Sequence, residues 1–188
     1  MQRISLLFFL LITGITGFSQ SAGKAPEIDK SPLDISYYPA NYPILKIQNK
    51  VSDPPLARII YSRPQRQGRK VFGELVEYGK VWRLGANEAT ELELYKDAKI
   101  GGKKISKGRY TLYALVNRDE WSIILNKDTD TWGAFKYDQT KDILRTTVPV
   151  EKIEDAVDTM SMWFEKTNSG ISLVIEWEQA KVTLPIIL

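Results

Sequence analysis

The sequence predicts an all-β protein, built as an antiparallel β-sandwich or a jelly-roll-like barrel. Three observations lead there. Apolar residues recur at every second position in one segment after another from Ala57 onward. Turn-forming residues separate those segments at short, regular intervals. No window of helical length carries a 3.6-residue apolar period, apart from the uniformly apolar N-terminus.

That N-terminus has the three parts of a secretion signal. Arg3 supplies the positive charge, Leu6 to Ile12 form an apolar run, and Gly17-Phe18-Ser19 is a small-x-small cleavage site that would leave Gln20 first. A membrane span needs about 20 apolar residues. This run is shorter, is broken by Gly14 and Gly17, and leads into polar sequence. Residues 1–19 therefore read as a signal peptide, with no membrane span after cleavage, and the product as exported, periplasmic or secreted. Residues 20–56 read as an extended leader. Pro32, Pro39, Pro43, Pro54 and Pro55 fall too often for a helix or an interior strand. Residues 20–30 are expected to be disordered. The later part carries Tyr37, Tyr38, Tyr42, Ile44, Leu45 and Ile47, and is expected to lie across the domain formed by residues 57–188.

Within that domain each strand is read from its phase. Thr90, Leu92 and Leu94 share one face. Tyr110, Leu112, Ala114 and Val116 share another, and because Tyr113 and Leu115 on the opposite side are also apolar, this segment reads as a central strand. Asn117-Arg118-Asp119 is a hairpin turn into Trp121, Ile123 and Leu125. Leu144, Thr146, Val148 and Val150 follow, then Met160, Met162 and Phe164. The turn Thr167-Asn168-Ser169-Gly170 leads into Ile171, Leu173, Ile175 and Trp177, and the chain closes on Val182, Leu184 and Ile186. Gly101-Gly102 and Gly108 mark further corners.

Composition narrows the chemistry. The chain has 188 residues, no Cys, no His and a formal net charge of +3. Without cysteine there is no disulfide framework, so the core alone holds the fold. Without histidine there is no Ser-His-Asp or Cys-His catalysis and no imidazole metal site. No cofactor is expected. Charge is spread along the chain, with no basic block that would suit nucleic acid.

Several motifs together resemble one family. They are Tyr61-Ser62-Arg63-Pro64, Gly68-Arg69-Lys70-Val71-Phe72-Gly73, and the segment Val81-Trp82-Arg83-Leu84-Gly85-Ala86-Asn87-Glu88-Ala89-Thr90. Further on come Lys107-Gly108-Arg109-Tyr110-Thr111-Leu112, Trp121 to Lys127, Trp132-Gly133-Ala134 and Tyr137-Asp138. From about Ser31 to the C-terminus the chain resembles the domain of unknown function 2911 family, exported proteins typical of Bacteroidetes. Glu77 stands where many members carry proline, and Leu84 where threonine is common. The resemblance brings no activity and no catalytic residues with it.

The residues themselves suggest where a site would sit. Counted back from Leu94, Leu92 and Thr90, Glu88 falls on the apolar face, where a carboxylate needs a partner. Arg83, across the Gly85-Ala86-Asn87 turn, is the nearest cation. The pair reads either as a buried bridge pinning the turn or as a charged fork at a pocket mouth. Arg63, Arg66 and Arg69 form a basic loop, which is either solvated or an anion site. Trp82, Trp132, Phe135 and Tyr137 could form a sugar-stacking platform, with Trp132, in an irregular stretch, the better ligand candidate. Trp121 and Trp177 are in phase with strand cores. Asn126 to Asp130 alternates oxygen donors, but the sixth and twelfth positions of that loop are Thr131 and Tyr137 rather than the Gly and Glu of an EF-hand.

The expected function is a non-catalytic module that binds a glycan, a small anionic ligand or an envelope protein partner. Its candidate residues are Arg63, Arg69, Trp82, Arg83, Asn87, Glu88, Trp132 and Tyr137. One alternative is a polysaccharide-acting hydrolase or lyase using Glu88 with Asp138 or Glu74. Another is a purely structural or assembly role.

Overall fold

A computed structural model describes Ala25 and residues 27–188. The predicted signal peptide, and residues 20–24 and 26 of the leader, lie outside the described residues. The first regular element is β1 (Leu33–Tyr38), followed by α1 (Tyr42–Ile47) and β2 (Ala57–Ser62). Then come β3 (Val81–Trp82), β4 (Glu91–Leu94), β5 (Ala98–Ile100), β6 (Lys103–Ile105), β7 (Gly108–Val116) and β8 (Glu120–Asn126). The long strands β9 (Asp142–Thr167) and β10 (Gly170–Ile187) end the chain. Among the described residues no helix is long and apolar enough to cross a membrane.

The all-β prediction holds, in the form of one large antiparallel sheet of ten strands. Its order is β1-β2-β4-β7-β8-β9-β10-β5-β6, with β3 paired to β7, and it does not close into a barrel. The leader departs from the sequence reading at one point. Its prolines do not prevent a helix, because Pro43 falls in the first turn of α1, where a missing N–H breaks no bond. The same residues do exclude an interior strand, and β1 is an edge strand paired with β2 alone within the sheet order.

One strand organises the sheet. The first part of β9 pairs with β8, from Asn126↔Asp142 to Glu120↔Pro149. Its remainder pairs with β10, from Val182↔Val150 to Gly170↔Thr167. The two halves of the sheet turn their apolar faces onto one core, which joins Ile59, Leu92, Leu112 and Ile123 to Met160, Leu173 and Val182. Every alternation read from the sequence points its apolar residues into that core. The central-strand reading of β7 is also met, since β4 and β3 lie on one side of it and β8 on the other. Its second apolar side, Tyr113, packs with Ala89 and Ile124 in a smaller cluster on the opposite face.

The connection from β2 to β3 does more than span a gap. Its start lies along β9, with Met160 N–H donating to Pro64 O at 3.0 Å and Arg66 N–H to Asp158 O at 2.8 Å. Its middle inserts Val71, Phe72 and Val76 into the main core. The phase of β10 changes beside it. Glu178 has a φ of 54°, sits at a register irregularity against β9, and takes the N–H groups of Val71 and Phe72 on its two carboxylate oxygens, at 3.2 and 3.3 Å.

Candidate functional site

The site is built on the turn after β3. Leu84 and Asn87 both have positive φ, 52° and 56°, unusual for residues with a Cβ. The turn is held by hydrogen bonds: Trp82 Nε1 donates to Gly85 O at 3.0 Å, Thr90 Oγ1 to Leu84 O at 2.6 Å, and Thr90 N–H to Arg83 O. This geometry corrects the phase expected for Glu88. Period two holds only within a strand, and β4 begins only at Glu91, so residues 88–90 lie outside it. Ala89 and Thr90 are both buried, while Glu88 is exposed and bridges Trp132 through the backbone. No Arg83–Glu88 pair forms.

Arg83 points elsewhere. It lines a cavity of about 390 Å³ together with Lys30, Gln65, Arg69, Trp82 and Trp177. The indoles of Trp82 and Trp177 stack there, with centroids 6.0 Å apart and planes 21° apart. Three cations and, among the described residues, no carboxylate face this space. The Arg83 Nε is buried and has no hydrogen-bond partner. Burial alone pushes its guanidinium below the usual arginine value, although arginine stays charged across the working pH range. Most buried polar groups are satisfied, so an orphaned guanidinium N–H asks for an explanation.

The basic loop divides. Arg63 is committed to structure: it pairs with Asp34 at 3.1 Å and donates to Met160 O and Ser161 Oγ. Arg69 donates to the carbonyls of Arg66 and Gln65, at 2.8 and 2.7 Å, and still faces the cavity. Two of its five N–H groups are thereby used, which leaves others for a ligand.

Beside this cavity, and sharing Ser31 with it, is a shallower one of about 590 Å³ lined by Asp29, Asn87, Glu88 and Trp132. Asn87 Nδ2 donates to Asp29 Oδ1 at 3.0 Å. Trp132 is 61% exposed, and its ring lies nearly parallel to that of Phe135, 5.7 Å away. Trp82, by contrast, belongs to the core. The structure therefore brings Arg69, Trp82 and Arg83 together, and Asn87, Glu88 and Trp132 together next to them. Lys30 and Gln65 were invisible to sequence reasoning, because one lies in the irregular leader and the other reaches the cavity only through the loop along β9.

Tyr137 lies apart from both cavities. It packs edge-on against Tyr113, donates to Asp142 Oδ2 at 2.5 Å and accepts from Arg145. Burial, then the bond to Asp142, pushes its phenol up to about 12. An unfolded tyrosine titrates near ~10, so the folded state holds this proton more tightly. The resulting stability is complete below about pH 10 and is lost as pH rises toward about 12. We expect thermal melts to fall across that window and Tyr137→Phe to remove part of the fall. Tyr95, raised to about 12 by burial and by Glu93, accounts for a further part.

The carboxylates expected to assist Glu88 lie in neither cavity. Glu74 pairs with Lys70 at 3.8 Å, and Asp138 accepts from Thr140 N–H at 2.9 Å. In the oxygen-rich loop, Asp128 pairs with Lys141 and Asp130 with Arg109. Comparison with curated proteins and with solved structures finds no match. The family described as protein of unknown function (DUF2911) matches over residues 43–186, and the chain belongs to that family.

Proposed function

We propose that this chain is an exported, non-catalytic binding module whose Arg83 cavity takes a small anionic ligand bearing a carboxylate, sulfate or phosphate. One observation carries the reading: the Arg83 Nε is buried and unpartnered in a space with two further cations and no carboxylate among the described residues. A planar guanidinium offers paired donors that match the oxygens of such groups. The neighbouring indoles lower the local dielectric and strengthen the interaction. Export is supported by the N-terminal sequence, and the core shared by both halves of the sheet supports a sandwich-like arrangement suited to binding at its loops.

The test is a melting series with acetate, larger carboxylates, sulfate and phosphate. A ligand at 100 times its dissociation constant stabilises by about 2.7 kcal/mol, which for a chain of this size raises the melting temperature by roughly 5–10 °C. Arg83→Met is expected to lose that response. Without ligand it should be as stable as the wild type or more so, by up to about 1 kcal/mol, because it removes a desolvated charge that has no partner. If Arg83→Met melts far below the wild type and no anion shifts either protein, Arg83 is structural and the reading fails.

A further inference from the structure

We propose that the ligand is an acidic carbohydrate, with its acidic group on Arg83 and a neighbouring sugar ring on Trp132. This rests on the reading of Arg83 as an anion site. The two cavities share Ser31 and flank a single turn, with Gly85 and Ala86 facing the inner one and Asn87 and Glu88 the outer. Their charges are segregated. Lys30, Arg69 and Arg83 line the inner cavity without a carboxylate, whereas Asp29 and Glu88 line the outer one without a cation, among the described residues. A ligand spanning both must be negative at one end only, since a second anion would meet two carboxylates.

The outer end has the chemistry of a neutral polyol site. Trp132 offers a flat apolar face, held in place by its bridge to Glu88 and by Gly133 N–H donating to Asn87 O at 2.9 Å. Phe135 stacks beside the ring, and Trp132 as a residue remains exposed to solvent. Sugar C–H groups pack on such a face while hydroxyls donate to carboxylates and amide oxygens. Glu88 supplies one acceptor, and Asn87, one of whose two Nδ2 hydrogens goes to Asp29, supplies its amide oxygen and its second N–H. An ammonium group on Trp132 is the competing occupant. Asp29 and Glu88 attract a cation as well, although Asp29 Oδ1 already accepts from Asn87 Nδ2–H and Ser31 N–H, so a zwitterionic probe distinguishes the two occupants.

Titration calorimetry separates these possibilities. The probes are disaccharides ending in glucuronic or galacturonic acid, their neutral counterparts, acetate, and a zwitterionic amino acid. They are titrated into the wild type, Arg83→Met and Trp132→Ala. An acidic disaccharide should bind at least tenfold more tightly than acetate or the neutral sugar. Each substitution should weaken it tenfold or more, and Trp132→Ala should leave acetate binding unchanged. Trp132 is exposed, so its replacement does not threaten the fold. Acidic disaccharides that bind no more tightly than acetate, with Trp132→Ala indifferent, would overturn the inference and leave the Arg83 anion site standing. Preference for the zwitterion would overturn it in favour of an amine. Binding of every probe unaffected by Arg83→Met would remove the anion site itself, and the inference with it.

Discussion

Phe72→Ala is expected to destabilise the protein by about 3–5 kcal/mol, the range for emptying a buried aromatic site. Phe72 sits in the connection between β2 and β3, yet its ring is packed among three indoles. Its centroid lies 5.1 Å from Trp121, 6.1 Å from Trp177 and 6.2 Å from Trp82. Those indoles come from β3, β8 and β10, so the phenyl ring is where distant parts of the sheet meet. The void cannot collapse easily, because Trp82 and Trp177 are already stacked and each indole N–H is tied to a backbone carbonyl, of Gly85 and Asp158. The loop backbone is also pinned by the two oxygens of Glu178. Denaturant unfolding should show a lower midpoint with an unchanged slope. Leu75→Ala, an exposed position in the same loop, is the control and should change stability by less than about 0.5 kcal/mol. A Phe72→Ala cost as small as that of Leu75→Ala would mean that the loop does not belong to the core.

Gly170→Ala is expected to cost about 2–3 kcal/mol, in the range of a strained backbone position. Gly170 opens β10 after the two-residue turn from β9, with a φ of 152°. A Cβ there would lie 2.4 Å from Ile186 O and 2.9 Å from Leu188 N. Both are backbone atoms and cannot rotate away. Relief requires the end of β10 to move, which pulls Ile186 from the core and strains the closing bond from Leu188 N–H to Ser169 O. Gly68→Ala is the comparison: its φ is also positive, at 75°, but nothing lies within 4 Å of the added methyl. It should cost only about 1 kcal/mol, through the backbone conformation alone. Thermal melts of the two variants separate the steric from the conformational contribution. Equal costs would show that the strand end yields freely.

Arg83 and Glu88 illustrate how much of a site can be read from one dimension. Both were identified as the residues to watch, and both line cavities. Their pairing follows only if strand phase is carried back to Glu88, beyond the start of β4 at Glu91, where Ala89 and Thr90 are both buried and Glu88 faces solvent. That break in the alternation separates an imagined ion pair from two adjoining cavities of opposite charge. Trp82 and Trp132 divide for a related reason. Trp82 is held inward by strand pairing with Ala114, whereas Trp132 projects from an irregular loop where no ladder dictates its side.

Local sequence is enough for the all-β class, the inward face of β4 and of β7 to β10, the central place of β7 and family membership. Each of these rests on local alternation or on contiguous motifs, and a pleated strand converts period two into sidedness without help from the rest of the chain. Long-range packing, by contrast, sets the one open sheet organised by β9, the place of Phe72 in the core although it lies in a loop, and the convergence of Lys30, Arg69 and Arg83 on one space without a countercharge among the described residues. Those features depend on where positive-φ turns and register irregularities redirect the chain, and on contacts between segments far apart in sequence. Such contacts are set by packing against the whole fold and leave no local period to read.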